Sequence, residues 1–146
     1  MQQTTESTAL SSGESVREIA LRLMHMSEAI HQTLRRLTSA PPPGSAMTSP
    51  YALLTEEYAL RARASILLIE ADRLARPGFP AQQATVLDIL RQVEVALSGS
   101  NSSDEMNELI AGLLLFTSSI ISRRNQIIWV LLENLQQLAA EPQTKR

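Results

Sequence analysis

The sequence contains no cysteine and only two histidines, His25 and His31, in 146 residues. That excludes a disulfide framework, a thiolate zinc site, a thiol redox pair and a cysteine nucleophile together, and leaves little for acid–base chemistry. Aromatic residues make up 3% of the chain, too few for the stacking platforms that single-stranded nucleic acids require. Neither sign of charge is in excess. Thirteen basic residues against fifteen acidic ones give a net charge of −2, so phosphate backbones exert no overall attraction. Lysine is nearly missing, with Lys145 alone beside twelve arginines. The longest apolar stretch, Leu109 to Ile121, is shorter than the roughly 20 residues of a membrane span. The first fifteen residues lack the basic start and apolar stretch of a secretory signal, and the expected location is the cytoplasm.

What is present is a chain of ordinary single-domain length with 44% hydrophobic residues, enough to bury a core without a staple. All seven prolines fall in or beside four breaks, and between the breaks apolar residues recur at helical spacing. This pattern predicts an all-α protein: a four-helix bundle, mostly up-down and antiparallel, with a long C-terminal helix. Residues 1–14 read as a disordered arm with nothing to bury, 15–141 as one helical domain and 142–146 as a flexible tail.

The first predicted helix runs from Val16 to Leu37. Ser15 and Glu18 form a capping-box pattern at its start, and Val16, Leu23, Ile30 and Leu37 form a buried heptad. A long break, TSAPPPGSAMTSP, follows. The second helix begins with Ser49 as cap and Pro50 at its first position, and ends before Pro77. It has two apolar faces. One is the leucine heptad Leu53, Leu60, Leu67 and Leu74; roughly opposite lie Leu54, Tyr58, Ala62 and Ile69.

Pro77-Gly78-Phe79-Pro80 predicts a tight turn that returns the third helix, Ala81 to Leu97, antiparallel to the second. Ser102 and Glu105 form another capping box, opening a fourth helix from Asp104 to Ala140. That helix is apolar around most of its circumference, with only Gly112, Ser119, Gln126 and Glu133 marking a polar face. Arg123 and Arg124 interrupt both of its apolar seams, where they are expected to reach solvent or make a polar contact with a carboxylate of another helix or chain.

Three groups of residues have side chains suited to chemistry. His25-x-x-Glu28-x-x-His31 includes the Glu-x-x-His spacing of helical di-iron sites, but no second such pair exists and these side chains fall away from the buried stripe. Neither metal nor cofactor is expected. The carboxylate pairs Glu56/Glu57 and Glu105/Glu108 lie near helix starts, where the macrodipole favours them. No nucleophile elbow, glycine-rich phosphate loop or dinucleotide fingerprint occurs. The basic pairs Arg35/Arg36, Arg61/Arg63, Arg73/Arg76 and Arg123/Arg124 would serve a nucleic acid only if they converged.

What remains is surplus apolar surface on the second and fourth helices. It predicts a non-catalytic protein–protein interaction module: a homodimeric adaptor, small regulator or secretion-type chaperone, with a second protein as its other partner. The expected dimer contact comprises Leu60 and Leu67 on the second helix and Leu115, Trp129 and Leu132 on the fourth. The alternative is a DNA-binding transcriptional regulator that dimerises through its helices.

Overall fold

The computed structural model describes residues 8–39 and 49–140. Helices make up 82% of the described residues, and no strand occurs among them. Six helices are present there: α1 (Gly13–Ser39), α2 (Pro50–Ile69), α3 (Ala71–Leu74), α4 (Gln83–Ser98), α5 (Ser103–Ile121) and α6 (Asn125–Ala140). The all-helical expectation holds, and the division into four rods does not. The second predicted helix bends at Glu70 into α2 and α3, and the fourth breaks at residues 122–124 into α5 and α6.

The long helices close into a ring. α1 packs on α2, α2 on α5, α5 on α6, α6 on α4, and α4 on α1, while the single turn α3 sits against α1. The third predicted helix, now α4, therefore neighbours α1 and α6 and does not return along α2. Phe79 anchors the turn that leads into it. This residue turns inward from the loop between α3 and α4 and meets Trp129 of α6 edge-on, with centroids 6.2 Å apart. Gly78, at φ +86°, supplies the left-handed backbone that lets the loop turn there.

Local chemistry at the helix starts follows the sequence closely in two cases. The Ser49 hydroxyl accepts from Tyr51 N at 3.1 Å, with Pro50 opening α2. Ser102 accepts from Glu105 N at 3.2 Å, and Glu105 reaches back to Asn101 N at 3.0 Å. At α1 the capping lies one turn earlier than Ser15 and Glu18 predict. There Ser12 Oγ accepts from Ser15 N at 3.1 Å, and Ser15 Oγ accepts from Ser12 N at 3.0 Å.

The segment before α1 also departs from expectation. Residues 1–7 lie outside the described residues, but residues 8–12 are held in place rather than free. Ala9 and Leu10 are buried in the core. Ala9 N donates to Ala81 O at 2.9 Å, Leu10 N donates to Gln83 Oε1 at 3.2 Å, and Leu10 O accepts from Arg76 N at 2.7 Å. Leu10 adopts φ +62°, a conformation that costs a non-glycine residue free energy. Burial of its side chain and both backbone bonds offset that cost. Buried Gln83 completes the anchor by donating to Ser15 O at 2.8 Å and Glu18 Oε1 at 3.0 Å. The proline-rich break (40–48) and the predicted tail (142–146) also lie outside the described residues.

The break between α5 and α6 covers part of the surplus on the fourth predicted helix and leaves Leu115, Ile127 and Val130 exposed. Arg123 takes φ +62° and ends α5, while its amide and that of Arg124 bond back to Ile120 O and Ser119 O. The chain then reverses, so α6 lies against α5 and each helix covers the other. Gly112 and Ser119, expected on a polar face, are buried; Gln126 and Glu133 are exposed.

Candidate interaction surface

The five expected interface residues separate into two groups. Leu60, Leu67 and Leu132 have no exposed surface, because the chain's own helices bury them. They belong to the core and are not available to a partner. Trp129 is half-buried against the cluster that includes Phe79. Leu115 is exposed, at 57%, on the outer side of α5.

The second apolar face of α2 is the larger exposed feature. Leu53, Leu60, Ala64 and Leu67 point into the ring, so steps of 100° place Tyr51, Tyr58, Ala62 and Ile69 along the opposite side. Tyr51 is 70% exposed, Tyr58 74% and Ile69 80%. Thr55 and Ala62 are also exposed, with Leu54 half-buried and Ile66 partly exposed at the margins. No charged residue stands on this line, which extends for about 27 Å. It contains both tyrosines of the protein.

Glu57 and Arg61 of α2 and the facing Glu28 and His31 are engaged within the chain. Glu57, only 5% exposed, accepts from Arg61 Nη2 at 2.7 Å and Nε at 3.0 Å, and His31 Nδ1 lies 3.5 Å from its other oxygen. Glu28 accepts from Gln32 Nε2 at 2.9 Å. That hydrogen bond, with the nearby charges of His31, Arg61 and Arg35, holds the Glu28 carboxyl below its usual range. His25 faces another helix, with its Nδ1 at 2.9 Å from Glu94, which Arg22 also contacts at 3.3 Å. Glu28 and His31 thus share the Glu57–Arg61 network, with Arg61 Nη2 3.8 Å from Glu28 Oε1, while His25 pairs elsewhere. Among the described residues, no group of three or more His, Asp or Glu could hold a metal ion.

The arginines have a structural use that their pairing in sequence does not reveal. Three of them donate to carbonyls at the C-terminal ends of other helices, where unpaired acceptors and the negative end of the macrodipole converge. Arg36 reaches Ser98 O at 3.3 Å and Ser100 O at 3.0 Å, at the end of α4. Arg76 reaches Ile120 O at 2.8 Å at the end of α5, and also contacts Leu74 O and Asn125 Oδ1. Arg123 reaches Arg73 O at 2.8 Å at the end of α3. Burial of Arg76, together with the like charge of Arg123, pushes its guanidinium below the usual arginine range. The expected carboxylate contact of Arg123 is therefore a backbone carbonyl contact. Arg124 is exposed beside it, next to an open depression of about 400 Å³ that Asn125, Gln126 and Ile127 also line.

No helix among the described residues is long and apolar enough to cross a membrane. The chain matches no family model, no curated protein and no solved structure.

Both apolar faces of α2 are legible in the sequence; Leu60 and Leu67, expected at a contact, lie on the face that fills the core. No charged residue interrupts either line, and the packing of α1 and α5 on the Leu53–Leu67 side decides which face is inward.

Proposed function

We propose that this chain is a non-catalytic helical protein–protein interaction module, acting as a homodimeric adaptor, small regulator or secretion-type chaperone. The outward strip of α2 is its contact surface. One observation supports this reading: a charge-free line of exposed large side chains from Tyr51 to Ile69, on a helix whose other face fills the core. Soluble chains rarely leave such a line uncovered, because every apolar Å² returned to water is unfavourable. Tyrosine fits a contact role, since its ring buries a large area while its hydroxyl remains satisfied at a wet rim. Leu115, exposed on the neighbouring helix α5, is a secondary contact in this proposal.

The chemistry the chain offers is consistent with contact rather than turnover. Buried Glu57, Arg76 and Gln83 are bonded to the protein itself, and Arg36, Arg76 and Arg123 close helix ends. The test is affinity capture from the native cell, with the wild-type chain and Tyr58→Glu as paired baits. The proposal expects a captured polypeptide, either this chain or another, that Tyr58→Glu loses and a control on α1, Leu21→Glu, retains. Identical capture by all three baits would remove the α2 strip from consideration.

A further inference from the structure

We infer that the occupant of the α2 strip is a second copy of this chain, paired antiparallel about a two-fold axis near the level of residue 60. This rests on the reading of the strip as a contact surface and goes further by naming the partner and the register. The order of residues along the strip carries the argument. Bulky aromatic side chains, Tyr51 and Tyr58, occupy its first half; smaller aliphatic ones, Ala62, Ile66 and Ile69, occupy its second. An antiparallel two-fold brings Tyr51 opposite Ile69 of the partner subunit and Tyr58 opposite Ala62 of the partner subunit. Every ring then meets a smaller side chain, and the methyl group at Ala62 lets the helix axes approach closely. Parallel pairing would set ring against ring and leave a gap at Ala62.

Area and charge agree with self-association. The two tyrosines alone offer roughly 300 Å² per copy. With Ile66, Ile69 and the small residues between them, the strip offers on the order of 500–600 Å² per copy, so a pair buries at most about 1,000–1,200 Å², just above the roughly 1,000 Å² a biological interface must clear. No charged group on the line must be desolvated, and a net charge of −2 per chain generates little repulsion between copies. A two-fold contact also closes on itself, using the strip once in each copy and leaving no second strip exposed.

The test uses the full chain. Light scattering coupled to gel filtration at micromolar concentration is expected to give twice the 16.1 kDa chain mass. Ala62→Glu is expected to halve that mass with helicity unchanged, while Val95→Glu on α4 retains it. Because the chain has no cysteine, register is read directly by oxidation. Tyr51→Cys and Ile69→Cys are expected to remain uncrosslinked when oxidised separately and to form a heterotypic disulfide when mixed. A chain-weight mass throughout, a doubled mass indifferent to Ala62→Glu, or homotypic Tyr51→Cys disulfides would each overturn the inference. A monomer whose captured partner is still lost with Tyr58→Glu would assign the strip to a different protein and leave the contact reading intact. A monomer with no such loss would end both.

Discussion

A Cβ atom built on Gly112 would lie 2.7 Å from Leu135 Cδ2 and 3.3 Å from its Cγ. That contact is where α6 folds back onto α5, and it explains a glycine in the middle of a helix, where alanine is intrinsically better by roughly 0.5–1 kcal/mol. Leu135 is fully buried, so its side chain must shift within the core to admit a methyl group. Gly112→Ala is expected to destabilise the protein by about 1 kcal/mol, overpacking outweighing helix propensity. In a Leu135→Ala background the sign should reverse, and Gly112→Ala should become neutral or stabilising. Chemical denaturation of the four proteins of this double-mutant cycle checks the coupling; equal effects in both backgrounds would contradict it.

Arg76 joins three elements: α3 through Leu74 O, the end of α5 through Ile120 O, and the start of α6 through Asn125. Replacing it by Met retains much of its bulk and removes every donor. Two buried carbonyls then lose a partner, and relief of the buried charge recovers only part of the loss. The expected net cost is about 2 kcal/mol. Amide hydrogen exchange should accelerate first across α6, which loses its anchor, while α1 keeps its protection. Uniform acceleration across all helices would show that Arg76 does not act locally.

The Glu57 network makes a different prediction for α1 and α2. Arg61→Ala leaves a carboxylate that is 5% exposed with only His31 beside it. Allowing for the half-exposed guanidinium, the expected loss is about 1–2 kcal/mol. Glu57→Gln in the same background should recover part of it, because the amide carries no charge to strand. His25→Ala, whose imidazole is mostly exposed, should change stability by less than about 0.5 kcal/mol. Thermal melts of the three variants beside the wild type distinguish these outcomes.

Much of this fold is legible in local residue patterns. Ser49-Pro50 and Ser102 with Glu105 fix helix starts, because a cap needs only neighbours in sequence. The inward heptad of α1 and both apolar faces of α2 follow from period alone. The break at Arg123 is harder, since no proline or glycine marks it. The signal is the interruption of both apolar seams by Arg123 and Arg124, which a straight helix could accommodate only by extending two charges across buried surface. The anchored segment around Leu10 is not legible at all. Its partners, Gln83 and Arg76, lie more than sixty residues away, and no local pattern encodes them. The inward position of Leu60 and Leu67 is not legible for a related reason: a helix with two apolar faces does not by itself say which one faces inward. The positions of α1 and α5 decide that.

The central claim is that the outward strip of α2 is covered by protein when the chain is at work. Both tyrosines of the sequence lie on that strip and nowhere else, so tyrosine chemistry reports on it without interference. The most direct measurement is the rate of nitration at Tyr51 and Tyr58, followed by mass spectrometry over a dilution series of the purified chain. The account predicts slow modification of both residues when the chain is concentrated and a common acceleration on dilution, with Ala62→Glu fast at every concentration. Rates that are fast and independent of concentration, identical in wild type and Ala62→Glu, and unchanged in extract of the native cell would contradict it.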